Sequence, residues 1–341
     1  MSILLLDASN EREWGCNITR YAAVAEPSNV TSVPRNIPPK IQPNVSALIS
    51  VIVVNYNAGQ LLRSCVDSIL SCPVDVEIVV VDNASQDNSL EGLAGLPHLQ
   101  IIKNQVNAGF ASACNTGLRA STAPYVLFLN PDCSFKPGAL AELVKALDSD
   151  PKVGMVGGLL TNVDGSEQIG ARRAIPTPWR SFVRAFGLVN LSRWWPNLFF
   201  DFNLHQQPMP DHPVPVEAIS GACMMVKRDV MNQVGEWDDG YFLHCEDLDW
   251  CMRFRSKGWK ILFVPSAVIT HVLGFCGRNR PVFVEWHKHR GMMRFYRKFF
   301  KEEYPGVLMV LVSMGVWLRF SVVAASFATR QFSSAAKRFL F

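Results

Sequence analysis

The residues best suited to chemistry lie between positions 241 and 259, where the carboxylates Glu246, Asp247 and Asp249 fall close together. Trp250 and Phe254 give the same segment apolar side chains that can anchor it against a core. A carboxylate in a partly dry cleft has its pKa raised by desolvation and lowered by nearby cations, which suits removal of a proton from a hydroxyl. The other interpretation is the solvated start of a helix, where acids complement the helix dipole. The segment alone fits both.

Polar side chains also follow three apolar, strand-like runs. Tyr56 and Asn57 follow the first run, Asp82 ends the second, and Asn130 and Asp132 follow another. A carboxylate such as Asp82 can accept from a nucleobase imide, and a tyrosine can cover the face of a base. Asp132 offers the hard oxygen atoms that suit Mg2+ or Mn2+. Each residue alone is also common in turns and helix caps, but together they converge on one edge of a sheet.

A histidine, His271, directly follows a further apolar run and comes about one supersecondary unit after the acidic cluster. A neutral imidazole in this position can ligate the same metal as Asp132. Since a lone histidine is more often structural, both interpretations stay open.

Small residues crowd the segment 107–117, NAGFASACNTG, at the predicted start of a helix. Backbone N–H groups at such a start suit an anion, and tight packing of the helix on the sheet explains the small residues equally well. Neither GxxxxGK[ST] nor GxGxxG occurs between a strand and a helix, so a P-loop enzyme and a dinucleotide oxidoreductase are not supported.

The hydrophobic pattern predicts the elements that position these residues. Apolar, β-rich runs predict strands at 48–54, 76–81, 99–103, 125–129, 153–160, 218–226, 261–264 and 267–270. Helical patterns cover 61–70, 111–120 and a stretch that ends near 147. Strands that alternate with helices predict an α/β fold with a mostly parallel sheet flanked by helices. In such sheets ligands bind beyond the carboxyl ends of the strands.

Composition narrows the classes of function. The 341 residues are 49% hydrophobic and 18% charged, which allows a large core and excludes a disordered chain. A formal net charge of +4 is too small to indicate a nucleic-acid partner. The 9 cysteines form no CxxC pair or zinc-spaced cluster, which favours reduced thiols in a cytosolic compartment. No secretion signal is evident, since Asp7 interrupts the apolar run at 4–6.

Two segments differ from the surface of a soluble enzyme. Residues 179–200 mix tryptophan and phenylalanine with arginine, which is typical of a membrane interface. Residues 307–328 are apolar except for serines and Arg319, long enough to span a bilayer, and follow a basic stretch. Because a charge near the bilayer centre is costly, we expect helices that lie on the cytoplasmic face and are attracted to anionic lipid. Burial of the tail against the catalytic domain or a second subunit is the alternative.

In their order along the chain, these motifs resemble family 2 of the inverting glycosyltransferases, with the GT-A fold, over about residues 48–290. The motifs are VIVVNYN at 51–57, VVVDNAS at 79–85, NAGFASACNTG at 107–117, LNPD at 129–132, SGACMMVKRDV at 220–230 and FLHCEDLDWCMRFRSKGW at 242–259. The continuation ITHVLGFCGR, then VEWHKHRGMMRFYRKFF, is similar to the bacterial rhamnosyltransferase branch. That branch uses dTDP-L-rhamnose on cell-surface glycan precursors.

The resemblance implies a nucleotide site. Asp82 would hold the base, Tyr56 and Asn57 would line the same pocket, and Asn107 and Asn130 belong with the nucleotide-binding residues. Asn130 stands where the family often has a first aspartate, which removes one charge from the neighbouring metal site.

The resemblance also implies a metal site and a mechanism. Asp132 and His271 would bind a divalent metal, Mg2+ or Mn2+. Asp247 would be the catalytic base, with Glu246 as the alternative. In this single displacement the base deprotonates the acceptor hydroxyl as that oxygen attacks the anomeric carbon, with inversion, while the metal offsets charge on the leaving nucleoside diphosphate.

The expected organisation is an irregular leader at 1–46, a GT-A domain at 47–285 and a basic, apolar helical region at 286–341. The expected partners are a nucleotide-sugar donor, with dTDP-rhamnose favoured, a polyprenyl-diphosphate-linked glycan acceptor and a membrane surface, and a homo-oligomer is left open. A transferase that uses a UDP- or GDP-sugar and a non-catalytic nucleotide-sugar-binding protein are the alternatives. A processive polysaccharide synthase would need several membrane spans and a QxxRW motif, which we do not find.

Overall fold

The computed structural model describes residues 48–272, 274 and 280–339, and its central feature is a mixed β-sheet. The strands of this part of the chain are β1 (Ile49–Asn55), β2 (Val76–Asp82), β3 (Leu99–Lys103), β4 (Tyr125–Leu129), β5 (Cys133–Phe135), β6 (Val153–Thr161), β7 (Arg172–Arg173), β8 (Val214–Pro215), β9 (Ala218–Ile219), β10 (Cys223–Lys227) and β11 (Lys260–His271). The predicted leader at 1–46 lies outside the described residues.

Helices cover the sheet and extend beyond it. They are α1 (Gln60–Leu70), α2 (Phe110–Arg119), α3 (Ala139–Leu147), α4 (Pro178–Ala185), α5 (Arg228–Val234), α6 (Glu246–Ser256), α7 (Pro281–Phe299) and α8 (Gly306–Phe339). Short 3-10 helices at Leu188–Arg193 and Leu204–Gln206 lie in the long connection after α4.

The main sheet has the strand order β3-β2-β1-β4-β10-β6-β11-β5, and β8 pairs with β11. The pairs β1–β2, β1–β4, β2–β3 and β6–β11 are parallel, whereas β10, β5 and β8 run antiparallel to their neighbours. A separate two-stranded sheet joins β7 to β9. The predicted α/β architecture of a sheet flanked by helices is confirmed.

The two faces of the sheet explain the nearly continuous apolar pattern of its central strands. Alternate side chains of β1 enter different cores, with Ile52 in the core under α2 and α6, and Val51 and Val53 in the core under α1 and α3. Successive side chains of a strand point to opposite faces, so a strand covered on both sides must be apolar throughout.

The structure differs from the strand prediction in two regions. The single strand predicted at 218–226 is two strands in different sheets, because β9 ends at Ile219 and β10 begins at Cys223. Gly221 lies between them, and a Cβ at this position would stand 3.2 Å from the Cβ of Asp247, so the chain passes close to the start of α6. The two strands predicted at 261–264 and 267–270 form the one strand β11, with a shift in register between Val264 and Val268.

The C-terminal helices pack on the acidic helix through buried polar bonds. Asp249 of α6 is fully buried and accepts from Tyr241 Oη at 3.1 Å, Arg253 Nε at 2.7 Å and Lys298 Nζ of α7 at 2.7 Å. On the other side of α7, the ring of Trp286 lies 5.0 Å from that of Trp317 in α8. The domain limit predicted at residue 285 stays a prediction.

Helix α8 is long and apolar enough to cross a membrane over Gly306–Phe327, where mean hydropathy is 2.1 and only 6% of the most apolar window is buried. Its exposed residues include Val307, Leu311, Met314 and Leu318, which repeat at helical spacing. Among the residues that the structure describes, no other helix meets the same test of length and composition.

Candidate active site

The first part of the site lies at the carboxyl ends of β1 and β2, where Asn55 and Asp82 are register partners. Asp82 is 4% exposed, and Asn55 Nδ2 lies 2.7 Å from its Oδ1. The same amide nitrogen lies 3.0 Å from Ser85 Oγ and 2.8 Å from Ser89 Oγ. A buried carboxylate without donors is unfavourable, so these bonds fix Asp82 at the sheet edge.

A cleft of about 440 Å³ opens beside Asp82, lined also by Ser85, Lys103 and Asn104 from the loops after β2 and β3. This volume lies in the usual range of small-ligand sites. Tyr56 and Asn57 are half-buried beside this region but do not line the cleft.

Asn57 has a structural task in this region. Its backbone N–H donates to Ser85 Oγ at 2.9 Å, and its side-chain Oδ1 accepts from Gln86 N at 2.7 Å. With φ of 53°, Asn57 adopts the left-handed conformation that asparagine tolerates better than most residues. Asn57 therefore holds the loops after β1 and β2 together.

Asn107 lies in a network of asparagines that fixes the entry to α2. Its Oδ1 accepts from Asn83 Nδ2 at 2.8 Å and from Gly109 N at 3.0 Å. Asn83 Oδ1 in turn accepts from Asn104 Nδ2 and Ala108 N, both at 3.1 Å. The side-chain oxygen of Asn107 is thus already hydrogen-bonded, and only its side-chain NH2 group remains for a ligand.

The small residues of 107–117 have packing partners. A Cβ on Gly109 would stand 2.7 Å from the carbonyl oxygen of Phe242, and one on Gly117 would stand 2.5 Å from Cγ2 of Ile52. Real Cβ atoms do not approach this closely. Of the two interpretations of this segment, the structure favours close packing of α2.

The second part of the site joins β5 to the end of β11. Ligand atoms of Asp132, Cys133 and His271 lie within 4.8 Å of one another. His271 Nε2 is 3.2 Å from Asp132 Oδ1, and Asn130 Nδ2 is 3.4 Å from the same imidazole nitrogen. The structure therefore brings together the two predicted metal ligands and Asn130.

Gln168 orients the imidazole of His271. His271 Nδ1 lies 2.6 Å from Gln168 Oε1, and Gln168 Nε2 donates to the carbonyl oxygen of His271 at 3.4 Å. Because an amide oxygen only accepts, this bond places a proton on Nδ1, so that in the neutral imidazole the lone pair is on Nε2.

This arrangement suits a divalent cation. Among the described residues no hydrogen-bond donor reaches Asp132 Oδ1, although the residue is only 7% exposed. A buried carboxylate oxygen that faces an imidazole lone pair is stabilised by a cation bound to both atoms. Cys133 fits less well, because burial raises the pKa of its thiol well above the ordinary value, and its Sγ is directed to the carbonyl oxygen of Ala222 at 3.5 Å.

The third part of the site is the start of α6. Asp247 Oδ2 contacts Arg173 Nη2 and accepts from Gly221 N at 3.2 Å, while Oδ1 accepts from Leu248 N at 2.8 Å. The two residues that directly precede α6 are His244 and Cys245, with φ of 68° and 71°, so the chain turns sharply into the helix. The adjoining Ala222 accepts from Asn130 N at 2.9 Å, which links Asp247 to the metal-ligand cluster through residues 221–222.

The neighbouring carboxyl group differs from Asp247. Glu246 is 6% exposed, and no donor in the described part of the chain reaches its Oε2. Burial, and after it the charge of Asp247, raises the pKa of Glu246 to about 8. Glu246 is therefore mostly protonated at neutral pH, and it is the neighbouring Asp247 that contacts Arg173. Asp249, the third acid of the cluster, is a structural residue that holds α7.

Sequence reasoning missed two side chains that contact predicted site residues. Arg173 contacts Asp247, and Gln168 contacts His271. Both lie in the variable stretch 161–215, where no strand pattern or turn signal singles them out. Their importance follows only from the fold, which places this stretch over the ends of β6 and β11.

The class of protein is a glycosyltransferase that has the GT-A fold and takes a nucleotide-sugar donor. Residues 50–235 match the family model described as glycosyl transferase family 2, over more than half of the chain. The chain belongs to this family. The resemblance that the sequence motifs indicated is therefore confirmed.

Two relatives are similar over most of the catalytic region. N-acetylglucosaminyl-diphospho-decaprenol L-rhamnosyltransferase of Mycobacterium tuberculosis is 29% identical over 237 residues, which are 66% of this chain and 76% of the relative. A low-salt glycan biosynthesis hexosyltransferase of Haloferax volcanii is 26% identical over 227 residues, which are 65% of this chain and 66% of the relative. The first of these supports a likeness to the rhamnosyltransferase branch.

Solved structures share the fold. A mannosyltransferase from Pyrobaculum calidifontis, solved with GDP-Man and Mn2+, gives a TM-score of 0.51 at 17% identity and covers 91% of this chain and 84% of its own. GalNAc-T7, solved with UDP, GalNAc and Mn2+, gives a TM-score of 0.50 at 18% identity and covers 66% of this chain but only 44% of its own length. At these identities the likeness concerns the fold alone.

The raised pKa of Glu246 predicts a stability that depends on pH. The unfolded chain ionises Glu246 near 4.5, whereas the folded protein keeps it protonated up to about pH 8. The free energy of unfolding should therefore fall as pH rises through this window, by up to about 1.4 kcal/mol per pH unit. In thermal unfolding from pH 5 to pH 9, Glu246→Gln should flatten the decline. The exposed Glu302→Gln should leave it unchanged, and an equal decline in Glu246→Gln would contradict the prediction.

Proposed function

We propose that this protein transfers L-rhamnose from dTDP-L-rhamnose to a hydroxyl of a polyprenyl-diphosphate-linked glycan precursor, with inversion at the anomeric carbon. The single observation that carries the catalytic part of the proposal is the Asp247 carboxylate, which three donors hold at the sheet edge where Asp132 and His271 also meet. The name of the Mycobacterium tuberculosis relative supports the donor and the acceptor. A UDP- or GDP-sugar donor is the alternative.

The proposed nucleotide site uses the cleft beside Asp82. Asp82 accepts from the base, Tyr56 covers the base, and the amide groups of Asn107 and Asn130 remain available to the nucleotide. Asn57 supports the site indirectly, because it holds together the loops after β1 and β2. The cleft at the ends of parallel strands β1 and β2 supports this placement, since α/β sheets bind ligands at this edge.

For the metal, we propose Mg2+ or Mn2+ held by Asp132 and His271. A bound divalent cation offsets negative charge on a leaving diphosphate. The imidazole lone pair and the buried carboxylate oxygen without a donor support this assignment. Asn130, in place of a second carboxylate, adds no charge to the site, and its Nδ2 lies 3.4 Å from His271 Nε2.

In the proposed reaction the acceptor hydroxyl gives its proton to Asp247 as its oxygen bonds to the anomeric carbon. The bond from that carbon to the diphosphate breaks on the opposite face, which inverts the configuration. Asp247 is favoured over Glu246 because a base must be ionised before it acts, and burial raises the pKa of Glu246 to about 8.

Asp247→Asn should bind nucleotide sugar normally but turn over on the order of 10²–10⁴-fold more slowly, the usual range for lost general-base catalysis. Transfer from dTDP-rhamnose and donor-induced thermal stabilisation should be measured on the same samples. The exposed Asp239→Asn is the matched control and should keep both properties. If Glu246→Gln loses turnover and Asp247→Asn does not, the base is Glu246. If no nucleotide sugar stabilises the wild-type protein, the transferase proposal fails.

Gln168→Leu should lower Mn2+ affinity by about 10–100-fold, because loss of the partner of a metal-binding imidazole has effects of this size. Mn2+-dependent thermal stabilisation without donor gives the affinity directly. Gln168→Glu keeps an acceptor for His271 Nδ1 and should retain binding. Wild-type affinity in Gln168→Leu would mean that Gln168 does not orient a metal ligand.

We also propose that the protein is attached to the cytoplasmic face of the plasma membrane through two apolar surfaces. One is the aromatic cluster formed by Trp179, Phe182, Phe186, Trp194 and Trp195, in which Trp194 is 67% exposed. The other is the exposed stripe of α8. Helix α4 carries part of the aromatic cluster and is bonded to α7, since Tyr296 Oη donates to Ser181 Oγ at 2.7 Å.

Charge at these surfaces supports anionic lipid as the partner. Arg193 is exposed within the same connection, and Arg297 is exposed near the end of α7, just before α8 begins. Aromatic side chains and basic residues are the combination that binds the membrane interface. A membrane-bound enzyme could meet a lipid-linked acceptor without extracting it from the bilayer.

The triple change Leu311→Gln, Met314→Gln and Leu318→Gln should reduce flotation with vesicles that contain anionic lipid, because it removes apolar area from the exposed stripe. Transfer to a soluble acceptor analogue should be unaffected. The control changes three apolar residues exposed elsewhere, Val106, Val163 and Ile169, to glutamine. Equal flotation of the two triple variants would remove α8 from membrane attachment.

A further inference from the structure

Two consecutive arginines on β7 point in opposite directions and have different partners. Arg172 is buried and pairs with Glu167 at 2.8 Å, and it also donates to the carbonyl oxygen of Gln207 at 2.9 Å. Arg173 reaches the opposite side, where its Nη2 contacts Asp247 Oδ2 and donates to the carbonyl oxygen of Ile219 at 3.2 Å. Neighbouring side chains of a strand face opposite sides, so β7 separates the two guanidinium groups.

The contact between Arg173 and Asp247 is shielded from water. The Arg173 side chain is 18% exposed and that of Asp247 is 14% exposed. In the described part of the chain, Arg173 is the only cationic group within 4.0 Å of the Asp247 carboxylate. Such a pair acts more strongly on protonation than a surface ion pair does, because less water screens it.

Arg173 also fixes the direction in which the Asp247 carboxylate points. It shares Asp247 Oδ2 with the backbone N–H of Gly221, whereas Oδ1 contacts Leu248 N within the same helix turn. The donors of Oδ2 thus come from β7 and from the β9–β10 connection, outside α6. Without Arg173 only backbone N–H groups would hold the carboxylate.

Other charged groups lie near Asp247. Glu246 precedes it on α6, and His244 lies on the turn before α6. On α7, Lys288 and Glu285 act on the pKa of His244 in opposite directions. None of these groups forms an ion pair with the Asp247 carboxylate in the described part of the chain, so none replaces the contact that Arg173 makes.

We infer that Arg173 is a positioning residue of the transfer reaction, which holds the Asp247 carboxylate so that it can accept the proton of the acceptor hydroxyl. This inference rests on the proposed function, in which Asp247 is the base.

The test is transfer by Arg173→Gln at saturating Mn2+ and donor. Without the guanidinium only backbone N–H groups hold the Asp247 carboxylate, so kcat should fall by about 10-fold or more, because a misplaced catalytic group slows the reaction. KM for the donor should stay unchanged, because Arg173 does not line the cleft beside Asp82. Arg173→Lys keeps a cation at this position without the planar guanidinium and should restore part of kcat.

Arg172→Gln is the matched control, because it removes the neighbouring guanidinium without touching Asp247. It should lower the melting temperature and leave kcat unchanged. A wild-type kcat in folded Arg173→Gln, or a loss of activity that arises entirely from a raised KM for the donor, would overturn the inference. If Asp247→Asn is as active as wild type, the base assignment itself fails. If Asp247→Asn is inactive and Arg173→Gln keeps the wild-type kcat, only the role of Arg173 fails.

Discussion

One constraint organises the site, namely that a carboxylate removed from water needs a donor or a cation. Asp82 accepts a hydrogen bond from the amide of Asn55, and Asp247 pairs with the guanidinium of Arg173. Asp132 is buried to a similar degree, but no hydrogen bond from the described residues reaches its Oδ1, which lies 3.2 Å from His271 Nε2. Two of the acids are therefore satisfied within the described part of the chain, and the third has an oxygen that suits a cation from solution.

The same constraint explains why the acids of α6 have separate tasks. Asp249 is fully buried and satisfied by three side chains, and one of them, Lys298, belongs to α7. Asp247 is satisfied by a cation on β7, and Glu246 has no such partner and stays protonated near neutral pH. Helix α6 therefore links the site to α7, which packs against the apolar helix α8. The first turn of α6, which carries all three acids, thus joins the sheet edge to α7 and, through α7, to the proposed membrane surface.

Much of the fold was predictable because its causes are local. The strands β3 and β4 begin and end where the apolar pattern predicts, β2 and β6 end one residue later, and β1 is shifted by one residue at both ends. The break at residues 220–222 was not predictable, because the apolar run continues through it. It exists because Gly221 must pass close to Asp247, a residue 26 positions further along the chain. The structural hydrogen bond of Asn107 was likewise not predictable, because its partner Asn83 lies on another loop.

For the site, the sequence by itself determined which residues have suitable chemistry and that strand ends would gather Asp82 and Asp132 at one edge, because parallel strands present their carboxyl ends together. Tertiary structure alone decided the partners of these residues. Gln168 reaches His271 across 103 positions, and Arg173 reaches Asp247 across 74. Protonation and orientation depend on those partners through short-range hydrogen bonds and ion pairs. Such contacts form only when distant segments pack, so no local pattern encodes them.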